Sequence, residues 1–355
     1  MSKALTVGVV GATGAVGKQL LSILEERKFP MKKLVPFASA RSVGKEVRCG
    51  QVVGKCDVMK PGCFQGVDMV FFDASDAVSK EWVPQAAEAG AWVVDNSATF
   101  RMDPDVPLLV PEVNGHELQK KIKKGGGSAK DRIFAGPNCS TVQLVVALKP
   151  IHDGWGLERV VVSTYQSVSG AGAEAVNEML DQTRTVLDGG WKEPSVFPHR
   201  IAFNCIPHIG GFRDDGYTSE EHKMLVESRR ILGLPDLRFN ATTVRIPTVS
   251  CHSESVNVEL KRDFDIKDVR QAWLKAPGIE VLDDTSKKIY PMPITGPGDV
   301  VTGGTGKDPV YVGRLRRDPS IDRGLCFWVV SDNLRKGAAL NAVQIGEMIL
   351  HEGRS

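Results

Sequence analysis

Hydrophobic and polar positions along this chain follow two regimes. Over roughly the first 138 residues, short and nearly unbroken apolar runs alternate with segments whose apolar residues recur at helical spacing. Residues 4–24 read as an apolar strand, a turn holding Gly11, Gly14 and Gly17, and an amphipathic helix. Further strands are expected at 33–38, 68–73, 91–97 and 108–113, with a helix reaching Ala89. Runs of this kind are typical of parallel strands buried on both faces, whose carboxyl ends carry ligand-binding loops.

Beyond residue 138 the pattern changes. An apolar-periodic helix follows Gly136-Pro137-Asn138, and 160–168 and 249–260 alternate as half-buried strands. Helices are expected through Val186, from Thr218 with Ser219 as cap, over 268–276, and from Asp332 to about Leu350. Residues 242–247 form a strand ending in proline, and 310–316 and 326–330 an antiparallel pair joined by a polar turn. Two stretches read as irregular: the basic, glycine-rich 120–132, expected as a solvated surface loop, and 188–213, long enough to serve function or an interface. The fold class is therefore α/β: an N-terminal Rossmann-type doubly wound domain followed by a second, mixed α/β domain, with the split near residue 138.

A length of 355 residues suits two domains of ordinary size. The 45 basic and 43 acidic residues leave a net charge of +2, which argues against bulk attraction to nucleic acid or an anionic membrane. No apolar run approaches the roughly 20 residues of a membrane span, and the start lacks a signal-peptide pattern. Seven cysteines without a C-x-x-C pair read as reduced thiols in a cytoplasmic protein, with no metal site.

Candidate chemistry narrows this. The glycine turn between strand and helix is a dinucleotide-binding fingerprint, its competing reading being a plain tight βα turn. None of residues 34–45 is acidic, and Arg41 lies between Ala40 and Ser42, so a cofactor 2′-phosphate is favoured over a bare ribose; otherwise Arg41 is a solvated loop cation. Cys139, delivered by a turn to a helix start, sits where unpaired N–H groups favour the thiolate; the alternative is a buried structural cysteine. His252, among Ser250, Ser253 and Glu254, is the best acid/base candidate. Glu220 and Lys223 share a helix face, and Arg101 lies near the edge where the parallel strands end.

In order, Gly11-Ala-Thr-Gly-Ala-Val-Gly17, Gly136-Pro-Asn-Cys-Ser140, Tyr165-Gln-Ser-Val-Ser-Gly170, Arg245-Ile-Pro247, His252-Ser-Glu254 and Asp332-Asn-Leu-Arg-Lys-Gly337 resemble the motifs of the aspartate-semialdehyde dehydrogenase family along essentially the whole chain. The resemblance implies NADPH-dependent reduction of 4-aspartyl phosphate to aspartate semialdehyde and phosphate, in biosynthesis of lysine, threonine and methionine. It makes Cys139 the nucleophile, His252 the acid/base and Gln166 the residue orienting substrate. Arg245 would grip the α-carboxylate and Glu220 the α-amino group, with Glu221 as its rival. Lys223, Arg101 and Asn138 would bind phosphate. Gly11, Thr13, Gly14, Ala15, Val16, Gly17, Ser39, Arg41, Ser42, Ser169, Gly170 and Asn333 would hold NADP. It also implies that the terminal segment returns to the first domain, giving 1–138 with 334–355 as the NADP-binding Rossmann domain and 139–333 as the mixed α/β catalytic and dimerisation domain, and that the protein is a homodimer or homotetramer. The expected departures are Cys251, where many relatives would have glycine and which is either oxidation-sensitive or buried and inert, and an insertion near 123–130. Two rivals remain: an N-acetyl-glutamyl-phosphate reductase, and a non-catalytic nucleotide-binding paralogue.

Overall fold

The computed structural model describes residues 4–124, 128–294 and 303–352. The chain divides into two compact units, Met1–Asn138 with Ala338–Ser355, and Cys139–Gly337.

In the first unit, β1 (Leu5–Val10), β2 (Met31–Phe37), β5 (Met69–Phe72), β6 (Trp92–Asp95) and β7 (Ile133–Ala135) form a parallel sheet in the order β2-β1-β5-β6-β7. A hairpin of β3 (Glu46–Cys49) and β4 (Val52–Lys55) adjoins it. Helices α1 (Ala15–Glu26) and α2 (Asp76–Glu88) are the crossovers that parallel pairing requires. The closing helix α9 (Leu340–Glu352) packs on α1 and β6, burying Ala342, Val343, Ile345 and Ile349.

Two stretches differ from expectation. Residues 108–113 are not a strand: Leu108 bridges Ala135, and Pro111, at a first helical position that needs no N–H donor, opens α3 (Pro111–Asn114). The basic stretch is a helix in its first part, α4 (His116–Lys124), because Leu118 is buried, Lys121 lies over the Phe134 ring, and Lys120 and Lys123 are exposed. Gly125, Gly126 and Gly127 lie outside the described residues, and a 3₁₀ turn follows over Ala129–Arg132.

Among the described residues the second unit holds a six-stranded mixed sheet. Its strands are β8 (Leu157–Gln166), β9 (Arg238–Arg245), β10 (His252–Leu260), β11 (Ile279–Val281), β12 (Val310–Asp318) and β13 (Gly324–Ser331), in the order β11-β12-β13-β10-β8-β9. α6 (Ala173–Leu187), α7 (Ser219–Leu232) and α8 (Ile266–Lys275) accompany it. Helix α5 (Cys139–Trp155) packs on β8, β10, β12 and β13, and residues 140–148 are all buried. An apolar surface all round is what a helix enclosed by its own domain needs.

β9 begins earlier than the proline-ended pattern suggests, and β10 later, at His252. The cap of α7 is Thr218 and not Ser219. Thr218 Oγ1 accepts from the Glu221 N–H, while the Glu221 carboxylate accepts from the Thr218 N–H at 2.7 Å. A π-helical turn, Arg335–Ala339, precedes α9.

Candidate active site

The glycine turn of the first unit is built for close backbone approach. Gly11 has φ +83°, and a Cβ there would collide with the Asp73 carbonyl; a Cβ on Gly17 would strike the Gly11 backbone. α1 opens at Ala15 with Gly14 as N-cap and no side chain capping it, which leaves its first N–H groups turned to whatever lies at the turn. Val16 is packed against the core of this unit. Thr13 Oγ1 donates to Ser42 Oγ at 3.3 Å, tying the turn to the segment after β2. There Ser42 is buried while Ser39 and Arg41 are exposed. The cradle fits a dinucleotide phosphate approached by main-chain N–H groups.

In the second unit, strand register does what sequence order does not reveal. Ser331 pairs with His252, His252 with Gln166, and Gln166 with Arg245, so four strands contribute one transverse row. Cross-strand partners share a face, which brings these side chains together.

Ser167, directly after β8, fixes the row. Its N–H donates to His252 Nδ1 at 3.1 Å, its carbonyl accepts from Arg245 Nη1 at 2.6 Å, and its hydroxyl donates to Asn333 Oδ1 at 3.1 Å. Asn333 also bonds Ser169 Oγ. Gly170 completes the loop: a Cβ there would stand 3.0 Å from Arg245 Nη1 and 3.2 Å from His252 Nε2.

A main-chain N–H cannot accept, so His252 Nδ1 is unprotonated, and the neutral ring carries its proton on Nε2. Burial, and then the Arg245 charge, push the ring's pKa down to about 3. His252 is therefore a neutral donor, suited to an oxygen that gains negative charge. Arg245 is destabilised by its own burial, while charge on Cys139 and Glu220 favours its protonated form.

Glu221 is committed to the backbone: besides the cap it accepts from the Thr243 N–H at 2.9 Å. Glu220, buried, takes a 3.4 Å hydrogen bond from Gln166 Nε2 and lies 3.9 Å from Lys223 Nζ. This arrangement favours Glu220 over Glu221 as the carboxylate presented beside the row.

Arg101 is buried and not a surface cation. Its Nε donates to the Gly136 carbonyl at 2.9 Å and its Nη2 to the Asn96 carbonyl at 2.7 Å, so it holds the turn leading to Asn138, itself buried. Sequence reasoning assigned no role to Gly337 or Ser167. A Cβ on Gly337 would lie 3.0 Å from Cys139 Cβ, so the π-helical turn passes directly against the thiol-bearing residue. The sequence signal was the glycine closing the Asp332–Gly337 motif.

Comparison with known proteins places this geometry. Residues 6–121 match the model for the semialdehyde dehydrogenase NAD binding domain, and residues 148–336 that for the semialdehyde dehydrogenase dimerisation domain. The aspartate-semialdehyde dehydrogenase of Aquifex aeolicus is 47% identical over 349 residues, with 98% of each chain covered. That of Bacillus subtilis is 45% identical over 357 residues, again covering 98% of each. The chain belongs to the aspartate-semialdehyde dehydrogenase family. A solved structure of aspartate semialdehyde dehydrogenase II from Vibrio cholerae, complexed with ASA, superposes with a TM-score of 0.91 at 42% identity and 99% coverage of both chains. The first unit is thus the family's nicotinamide-cofactor domain, and these full-length matches do not favour the N-acetylated-substrate or non-catalytic readings.

Cys251, the departure noted against other family members, has φ +67° and no exposure, and its thiol bonds Thr305 Oγ1 at 3.4 Å. Burial pushes its pKa up to about 12. Such a thiol is packed and unreactive.

The neutral state of His252 gives a pH prediction. kcat/KM should show no acid limb near 6.5, the ordinary imidazole value; a limb there that disappears in His252→Asn would overturn the assignment. The stability sign follows from the same lowered pKa. The unfolded chain binds the proton first, so wild type loses stability as pH falls below about 6.5, and His252→Asn loses less, as urea titrations would show. Separately, Gly337→Ala should lower kcat/KM about tenfold by displacing Cys139, with only a small fall in melting temperature; unchanged kinetics would remove the turn from the site.

Proposed function

We propose that this chain catalyses the reversible reduction of L-4-aspartyl phosphate to L-aspartate 4-semialdehyde and phosphate, using NADPH, through a thioacyl group on Cys139. The observation carrying the reading is the row Gln166–His252–Arg245 in a domain whose central helix opens at Cys139, in a member of this family.

The Cys139 thiolate attacks the acyl carbon and phosphate leaves, giving a thioester. The positive charge of Arg245 favours the thiolate before attack and grips the substrate α-carboxylate, a task suited to a planar guanidinium. Gln166 orients the substrate, and Glu220 receives its ammonium group. Lys223, Arg101 and Asn138 are the proposed phosphate ligands, with Arg101 also holding the turn before Cys139. His252 Nε2–H donates to the substrate oxygen as charge develops on it, held in aim by Ser167. When bound, the nicotinamide cofactor supplies the hydride that reduces the thioester. Collapse of the thiohemiacetal on Cys139 then releases the aldehyde and restores the thiolate.

NADP is favoured over NAD because Arg41 is exposed on the 3₁₀ turn following β2 and no acidic residue stands between 34 and 45. Gly11, Gly14, Gly17, Ala15, Val16, Thr13, Ser39 and Ser42 form the dinucleotide contacts in this reading, with Ser169, Gly170 and Asn333 proposed at the nicotinamide end. Seven cysteines without a disulfide among the described residues, and no described helix long and apolar enough to span a membrane, support action in a reducing cytoplasm. A homodimer, or a tetramer made from such dimers, is the proposed assembly.

Phosphate-dependent reduction of NADP by L-aspartate semialdehyde tests the reaction. Wild type should turn over and Cys139→Ser should lose at least about 10³-fold; an active mutant removes the nucleophile assignment, and an inactive wild type removes the substrate. Arg41→Ala should cut kcat/KM for NADP about tenfold while leaving that for NAD unaltered, because a phosphate contact is lost; equal loss with both cofactors would show that Arg41 does not read the 2′-phosphate.

A further inference from the structure

Glu254 is a fully buried acid that the mechanism above does not use. It stands two residues beyond His252 on β10, and so on the same face, one row deeper in the sheet. Its cross-strand neighbours are Thr164 on β8 and Val329 on β13. It has no exposed surface. Burial raises its proton affinity, and the Gln143 side chain opposes that rise. Gln143 is equally enclosed and stands four residues, one helical turn, beyond Cys139 on α5.

Two pairs therefore run in parallel. Cys139 and Gln143 succeed each other by about 6 Å along α5, and His252 and Glu254 by about 7 Å along β10. Each element begins at its reacting residue and leads inward to a buried polar one. We propose that Glu254 is a positioning residue: paired with Gln143 beneath the reaction centre, it sets the seating of the Cys139 helix on the His252 strand. The proposal rests on the assignment of Cys139 and His252 as the reacting pair.

The chemistry of the pair is specific. A carboxylate is disfavoured in so enclosed a place, and burial raises the Glu254 pKa well above its ordinary value. A neutral carboxylic acid and a primary amide are matched: the acid O–H donates to the amide oxygen, and the amide N–H donates to the acid carbonyl. Neither side chain has a hydrogen-bond partner among the described residues. The carboxyl proton supplies the donor that completes the pair. A polar pair in an otherwise apolar contact rewards one seating of helix on strand, where an apolar contact tolerates several. Gln166 extends the same layer, its Nε2 donating to Thr164 Oγ1 at 3.2 Å beside Glu254.

The test compares Glu254→Met, Gln143→Met, the double variant and Glu254→Gln in the full-length protein. Three quantities are read: kcat and KM for the semialdehyde reaction, the pH dependence of iodoacetamide alkylation at Cys139 followed by peptide mass, and melting temperature. Each methionine variant should lose about ten- to a hundredfold in kcat with KM little changed, and should alter the Cys139 alkylation profile. The double variant should be no worse than the worse single one, because one interaction is removed twice. Glu254→Gln should recover most of the loss, since an amide replaces a neutral acid. Two outcomes overturn the proposal: Glu254→Gln as impaired as Glu254→Met, which would require a charged carboxylate, or methionine variants that change only the melting temperature, which would reduce the pair to core filling. If Glu254→Met does not fold, Gln143→Met carries the same reading. If wild type fails on the semialdehyde, the substrate assignment falls, while alkylation at Cys139 still decides the positioning.

Discussion

The main chain at Ser167 is the constraint on which the site depends. Its N–H fixes the tautomer of His252, its carbonyl holds Arg245, and its hydroxyl reaches Asn333. Arg245, His252 and Asn333 are thus referred to one residue at the end of β8, the first two through its main chain and the third through its side chain. Backbone groups make good anchors because a side-chain substitution does not remove them and the flanking strand already restricts their direction. Gly170 belongs to the same device, since its missing Cβ lets the loop lie against the Arg245 guanidinium and the His252 ring.

Arg245 sets the electrostatics around that anchor. Its guanidinium is nearly enclosed, so its charge acts through a medium less polarisable than water, on Cys139 and Glu220 in one direction and on His252 in the other. One cation thereby favours an anionic nucleophile and an uncharged imidazole together. A charged imidazole beside it would have repelled the guanidinium and given up the hydrogen bond from Ser167. The division of labour between a charged group for anions and a neutral donor for developing charge follows from that proximity.

Much of this was legible in the sequence. The unbroken apolar runs gave parallel strands, the alternating ones a mixed sheet, and the motif order gave the family. What escaped was decided by tertiary partners. Thr218 and Ser219 are equally able caps by residue type; the choice fell to Thr218 because Glu221 also reaches the Thr243 N–H. The segment at 108–113 looked like a strand until Pro111 used its missing donor to start a helix. The lysines of α4 suggested a loop because their single deeply buried partner, Leu118, is a weak periodic signal. The transverse row of Ser331, His252, Gln166 and Arg245 has no sequence signature, since register exists only after four strands have paired. Glu254 is a different case: alternation puts it in phase with the apolar Val256, Val258 and Leu260, so its inward face was legible, but its partner on α5 was not, because α5 meets β10 only in the folded domain.

The residue before His252 shows how local strain and placement are linked. β10 starts at His252 because Cys251, at φ +67°, is outside the extended region and turns the chain immediately before the ladder begins. A side chain in the left-handed region costs about 1 kcal/mol, which glycine avoids. The buried thiol offsets that cost by filling the space against Gly304 and by its contact with Thr305. Because the turn is sharp, His252 becomes the first paired residue of its strand, with Nδ1 facing Ser167. The facing of the strand itself is held along its length by pairing with β8 and β13 and by the burial of Val256, Val258 and Leu260. The left-handed backbone at residue 251 thus sets where the ladder begins, while the paired strands keep His252 and Glu254 on one face.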